Sequence, residues 1–324
     1  MNIKRLRITS FKTNFVLRLV QFLIIFLSLQ ILTSCTSVTP AAREARFVSI
    51  GEVKPAWQPF SDGIKIFHGK TTSPQLEFWA LQIDTTNPSL QIVVRSGAAQ
   101  TNTSAQYKHL YYSTRVLSFV RDNNLLAGIN AVPFDIASTK EMQPIKNMGI
   151  VVSDGVLLAP ANPNYDALVF YTNDINTNGN NTIGSMAVIS QAEINSIENI
   201  QNAVGGFHKM LENGQPAPRT ENSEARHPRT AAGICPDSRY LYLLVIDGRR
   251  AGSVGATELE IALLLRCLGS SEGINFDGGG STALALRFPN GKVRIANTPT
   301  HNGIPGRQRA VAACLGIFSL STEK

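Results

Sequence analysis

The sequence predicts an α+β domain, a core of mixed β-sheets with a few packed helices. Three observations point there. Short apolar and β-branched runs, bounded by Gly, Pro, Asn and Asp, recur from Ile64 onward. Only the segment 257–268 carries a complete helix signature. No repeat, low-complexity block or long linker divides the chain, and 324 residues at 43% hydrophobic can bury one sizeable core in a single domain. The same composition excludes a disordered chain, and 25 Gly with 4 Cys exclude a collagen-like chain or a disulfide scaffold.

The amino terminus has a different character. Residues 1–35 hold Lys4, Arg5, Arg7, Lys12 and Arg18 and no acid, and an apolar stretch over 19–32 follows the basic run. That stretch is short for a transmembrane helix and has the length of a signal-peptide core. It ends in Leu32-Thr33-Ser34-Cys35, which resembles the lipobox of bacterial lipoproteins, where the cysteine becomes lipidated and N-terminal. The expected organisation is a signal peptide over 1–34, a lipidated Cys35 with a proline-containing tether to residue 60, and a folded domain over 61–324. By the same resemblance, Thr36 after the cysteine implies outer-membrane retention, facing the periplasm of a bacterial envelope. Five of the seven formal net positive charges lie in this leader, so the remainder carries +2. The basic balance therefore gives no support to a nucleic-acid partner.

Within the domain, 76–84 and 90–95 read as a strand pair joined at Asn87-Pro88-Ser89. Val116, Leu117 and Val120 have helical spacing within 113–123, and 125–130 returns to strand. The runs 149–153 and 156–159 flank Asp154-Gly155, a two-residue hairpin turn signal. Strands follow at 167–171 and 183–189, then a short helix at 191–197. Further strands are expected at 230–234, 240–246, 274–277, 282–286 and 311–318. The helix at 257–268 opens with Thr257 and Glu260, a capping box in which each side chain satisfies a first-turn N–H, and ends before Gly269. Cys235, Cys267 and Cys314 have no metal-ligand spacing and sit in apolar runs, and export leaves room for one disulfide among them. The run 174–179 resembles the front half of a calcium loop, but Ser185 stands at its twelfth position and a surface loop is the better reading.

Residues suited to chemistry concentrate after 226. His227-Pro228-Arg229-Thr230 opens one strand, Asp247-Gly248-Arg249 ends the next, and Asp277-Gly278-Gly279-Gly280-Ser281-Thr282 ends another. Carboxylates at the ends of neighbouring strands converge on one sheet edge. The glycines let backbone approach a ligand and offer N–H groups to an anion. A nucleotide-binding loop is excluded, because neither the lysine nor the following helix is present.

Taken together these runs resemble the phosphodiester glycosidase family. The resemblance rests on 227–234, Leu244-Val245-Ile246-Asp247-Gly248-Arg249, Gly255-Ala256-Thr257-Glu258-Leu259-Glu260, Leu268-Gly269, and Ile274-Asn275-Phe276-Asp277 with the glycine run, in that order. Weaker echoes reach upstream to about residue 76. The resemblance implies hydrolysis of a sugar-1-phosphodiester to free sugar and phosphomonoester. A phosphate leaving group needs little protonation, so the site must stabilise phosphate charge and bring a carboxylate to the sugar. Asp277 is the first candidate for that carboxylate and Asp247 the second. Glu260 is a third, although its capping-box role accounts for it fully. Arg229 is the candidate phosphate clamp. Thr230, Gly278, Gly279, Gly280, Ser281, Asn130 and Arg309 are further candidates for substrate or phosphate contact, and His227 for proton transfer. No cofactor is expected, and a calcium or magnesium ion stays open. The expected partners are a carbohydrate phosphodiester and, through the lipid, a membrane. The alternative is a sugar-phosphate- or polysaccharide-binding lipoprotein with little or no turnover.

Overall fold

The computed structural model describes residues 50–97, 110–135, 140–172 and 183–320. The leader, Cys35 and the run 174–179 lie outside the described residues.

Three antiparallel sheets carry the fold. The largest has eight strands in the order Gln58–Ser61, Ile64–Thr72, Gln75–Asp84, Tyr240–Ile246, Arg229–Ile234, Glu272–Asn275, His208–Glu212 and Gln215–Pro216. A five-stranded sheet runs Val293–Ile295, Leu284–Arg287, Ala127–Asn130, Ala313–Ser319 and Leu90–Ser96. The other five-stranded sheet runs Met186–Ser190, Asp166–Tyr171, Ile200–Gly205, Val151–Ser153 and Val156–Ala159. One face of each sheet meets in a shared core that includes Trp79, Leu81, Ile129, Phe170, Val204, Leu243 and Leu315. Helix α1 (Val116–Asp122) packs with Leu125, Ala285 and Cys314 in a smaller cluster on the second sheet. Helix α2 (Glu258–Leu268) covers the other face of the first sheet, burying Ile261, Leu264, Leu265 and Leu268 against Leu244, Ile246 and Ala231.

This corrects the α+β expectation. The protein is mostly β, with two whole α-helices among the described residues, and every paired strand ladder is antiparallel. The reason lies in double burial. In Tyr240–Ile246, Leu241, Leu243 and Val245 face the shared core while Tyr242, Leu244 and Ile246 face α2. Strands buried on both faces read as continuous apolar runs, the pattern of a parallel sheet between helices. Here the second layer is mainly other sheets.

Local expectations divide in the same way. The helix at 258–268 has its full capping box, with Thr257 accepting from the Glu260 N–H and Glu260 accepting from the Thr257 N–H. The Asp154-Gly155 turn has positive φ at both residues, 48° and 76°, and joins Val151–Ser153 to Val156–Ala159. The expected helix at 191–197 is only a 3-10 turn, Gln191–Glu193. The strands around Asn87 both exist but do not pair with each other. Gln75–Asp84 and Leu90–Ser96 lie in different sheets, and Asn87 turns the chain by accepting from the Ser89 N–H. The three described cysteines are free, so no disulfide joins them. Packing is already established at Ile50, which is fully buried with α2, and Trp57 stacks on Tyr242.

Candidate active site

Antiparallel pairing brings the chemistry-bearing residues to one sheet end. Arg229 pairs with Ile246, and Ala231 pairs with Asn275, so the end of Tyr240–Ile246, the start of Arg229–Ile234 and the end of Glu272–Asn275 are level. Asp247, His227 to Arg229, and Asp277 therefore emerge together. The second sheet joins them through Asn130, which is fully buried. Asn130 donates to the Asp277 carbonyl at 2.6 Å and accepts from the Thr230 hydroxyl at 2.7 Å and the Ala283 N–H at 3.1 Å. Asn130 and Thr230, candidates for substrate contact, thus position the loop that bears Asp277.

The three candidate carboxylates have different surroundings. Asp247 is fully buried and completely paired. Its Oδ1 accepts from Asn297 Nδ2 at 2.9 Å, both oxygens accept from the Thr298 N–H, and Oδ2 accepts from Arg250 Nε and Nη2 at 3.1 and 2.7 Å. Arg250 in turn holds Glu77 at 2.6 Å. Burial pushes the Asp247 carboxyl upward, and hydrogen bonds from Asn297, Arg250 and Thr298 oppose it. Glu260 is also fully buried, bound by Thr257 N–H and by both terminal nitrogens of Arg226. These two acids anchor structure. Asp277 differs: its Oδ2 is buried without any hydrogen-bond partner among the described residues. Burial raises its pKa to about 6, against opposing contributions from the Ser281 hydroxyl, Arg309 and the Gly278 N–H.

The cations also sort themselves. Arg229, the sequence-based phosphate clamp, is buried and donates to the carbonyls of Ala256 and Ala225, both at 3.1 Å, with Glu258 3.8 Å away. Its fork is largely occupied in holding the entry to α2. Arg309 donates to His301 Nδ1 at 3.2 Å and lies 3.4 Å from the Ser281 hydroxyl. Arg249, which sequence reasoning did not single out, has φ +60° and points its guanidinium at the glycine run. A Cβ at Gly279 would lie 3.1 Å from Arg249 Nη2, and one at Gly280 would overlap His301 Nδ1 and lie 3.1 Å from Arg309 Nε. Two arginines thus flank two consecutive glycines, and neither forms an ion pair within 4 Å among the described residues. His227 is 3.3 Å from Arg249 Nη2. Burial and the charges of Arg229 and Arg249 hold it below the usual histidine range.

The glycine run offers fewer free donors than its sequence implies. The Gly279 N–H is taken by the Pro228 carbonyl at 2.8 Å, the Ser281 N–H by Gly278, and the Gly278 N–H by Asp277 itself. Side chains, more than a backbone nest, would therefore meet an anion here. Among the described residues no group of three His, Cys, Asp or Glu side chains could hold a metal ion. Sequence reasoning missed Arg249, Asn297 and His301. Arg249 was legible as the third residue of the Asp-Gly-Arg motif, whereas the other two carry no motif.

Comparison with known proteins adds the family context. A family model described as phosphodiester glycosidase matches residues 123–318. No curated protein matches the sequence. Among solved structures, the fold resembles the catalytic domain of zebrafish N-acetylglucosamine-1-phosphodiester alpha-N-acetylglucosaminidase, described as auto-inhibited by its pro-peptide. That match has a TM-score of 0.57 and 20% identity, over 84% of this chain and 90% of that one. A hypothetical protein from Synechocystis matches at TM-score 0.56 and 13% identity over 82% of this chain, which spans 64% of that protein's length. A protein from Burkholderia pseudomallei K96243 matches at TM-score 0.53 and 14% identity, over 75% and 74% of the two chains.

Proposed function

Because the chain belongs to the phosphodiester glycosidase family, we propose that it hydrolyses a glycosyl phosphodiester to free sugar and a phosphomonoester. The observation that carries this reading is one incompletely paired carboxylate, Asp277, followed by glycines flanked by two arginines that form no ion pair among the described residues. Ordinary glycoside hydrolysis needs a second carboxyl group to protonate a poor leaving group. The phosphomonoester leaves as a weakly basic anion, so cations replace that acid. Arg249, Arg309 and Ser281 hold the phosphate. Asp277 acts at the anomeric carbon, directly or by taking a proton from the attacking water. The bond from that carbon to oxygen breaks, and its electron pair leaves with the phosphate; where Asp277 attacks directly, water then cleaves the glycosyl ester and returns the free carboxylate. Asp247, Glu260, Asn130, Thr230 and Arg229 keep the loops in place.

The name of the zebrafish neighbour supplies the first substrate to offer, an N-acetylglucosamine-1-phosphodiester. The full chain, purified in detergent, should release N-acetylglucosamine, and Asp277→Asn should abolish release while the fold persists. Binding of sugar phosphates without turnover across a broad panel of glycosyl phosphodiesters would replace this reading with that of a binding protein.

The leader adds a location to the proposal: residues 1–34 direct export, and Cys35 carries the lipid that holds the enzyme in a bacterial envelope, on the outer membrane facing the periplasm. A fatty acid label incorporated during growth should appear on the wild type and not on Cys35→Ser. Label on both would remove the anchor from the account.

A further inference from the structure

Seven buried side-chain polar atoms among the described residues lack a hydrogen-bond partner. Two of them, on Asp277 and His301, lie in the candidate site, where His301 meets Gly280 and Arg309 and Asp277 meets Ser281 and Gly278. Buried polar groups are nearly always satisfied, so each of these atoms calls for a partner of matching chemistry, water or ligand. His301 is informative because its missing partner has a defined chemistry.

His301 lies outside every motif that carries the family resemblance. It sits on a small hairpin, Thr300–His301 paired with Ile304–Pro305, and is only 2% exposed. Arg309 Nε lies 3.2 Å from its Nδ1. A guanidinium N–H can only donate, so Nδ1 must present its lone pair, and the neutral ring carries its proton on Nε2. Burial and the charges of Arg309, Arg307 and Arg249 hold the imidazole below its ordinary pKa, which keeps it neutral. The result is a buried Nε2–H donor with no acceptor among the described residues. The absence of a side chain at Gly280 leaves the room the ring occupies. With arginines on this side of the site, the acceptor that fits is an anionic oxygen.

We propose that His301 is a substrate-binding residue that donates a hydrogen bond from Nε2 to a non-bridging oxygen of the substrate's phosphate, its tautomer fixed by Arg309. The inference rests on the proposed function for the identity of the phosphate ester, but the phosphate contact itself can be measured without turnover.

The test uses three variants of the full chain in detergent, with inorganic phosphate as the probe in calorimetry and turnover measured in parallel. Glutamine can place an amide N–H near the position of Nε2, asparagine reaches only the position of Nδ1, and phenylalanine fills the space with no polar atom. His301→Phe and His301→Asn should weaken phosphate binding roughly ten- to a hundredfold and raise KM more than they lower kcat. His301→Gln should recover most of that loss. Wild-type phosphate affinity in His301→Phe, or equal losses in His301→Asn and His301→Gln with a lowered Tm, would overturn the assignment in favour of a structural histidine. So would a wild type that binds no phosphate. If the wild type binds phosphate through His301 but cleaves no glycosyl phosphodiester, the proposed activity fails and this contact stands. If it cleaves and the variants bind as the wild type does, the reverse holds.

Discussion

Asp247 and Asp277 occupy equivalent places in the chain and opposite places in the chemistry. Each follows a buried apolar residue at or just past a strand end, each precedes a glycine, and the two emerge at the same end of the eight-stranded sheet. Asp247 accepts from Asn297, Thr298 and Arg250, which leaves it nothing to offer a ligand. Asp277 has only Ser281 and Gly278 on its carboxylate and keeps Oδ2 buried and bare. The difference comes from what packs above each strand end. Over Asp247, the loop at 297–298 and the arginine three residues on close the shell. Over Asp277, three glycines bring no side chains, and the nearest cation, Arg309, is turned toward His301 and Ser281. A carboxylate is made structural or reactive by the donors around it, and its position on the strand decides nothing.

Breaking the reactive member should have the largest effect. Asp277→Asn should lower kcat by roughly 10⁴-fold, the scale seen when a central catalytic group is removed, with the circular dichroism spectrum unchanged. Breaking the anchor should act on stability instead. Asp247→Asn removes the charge facing Arg250 and places an amide N–H against donors already in place, which should cost about 3 kcal/mol in denaturant unfolding. Its activity should fall far less than that of Asp277→Asn. Comparable activity losses for the two would erase the contrast.

Smaller changes sharpen the same comparison. Gly280→Ala puts a methyl group into His301 Nδ1 and against Arg309 Nε, so both must shift. A displacement of that kind should lower kcat/KM roughly ten- to a hundredfold, with Tm little changed, as read by steady-state kinetics and a thermal melt. The pH profile should be milder still. Asp277 works as the carboxylate, so kcat/KM should fall about tenfold for each pH unit below about 6, the pKa that burial imposes. A flat profile down to pH 4.5 would assign the reaction to another group.

Much of this site was legible in the sequence. The Asp-Gly-Arg and Asp-Gly-Gly-Gly runs, their order and their strand-end placement were enough to bring Asp247, Arg229 and Asp277 to one edge. The capping box of α2 was legible for the same reason: it depends on residues three apart. What the sequence could not distinguish was set by distant partners. Asn297 lies 50 residues from Asp247, and Asn130 lies 147 from Asp277, so nothing local shows which carboxylate is saturated. Arg229 looked like the phosphate clamp, because a strand-entry arginine beside a histidine gives no sign that backbone carbonyls at 225 and 256 will occupy it. The fold class failed through the same blindness to distance. Val245 and Ile246 are buried on opposite faces by a sheet and a helix, and no periodicity within the strand reveals which.

The central claim, that Asp277 is a buried carboxylate lacking a full set of partners, can be tested without knowing the substrate. A pKa raised from 3.8 to about 6 means that folding withholds ionisation from this group. Wild-type stability should therefore decline, relative to a variant without the acid, as pH rises from about 4 through 6, by at most about 3 kcal/mol. Unfolding of the wild type and Asp277→Asn should be compared from pH 4 to pH 8. The two should differ little at pH 4, and the variant should gain on the wild type until the difference levels above pH 7. Parallel curves across that range, or a variant that loses stability as pH rises, would show that Asp277 is already paired and would contradict the account.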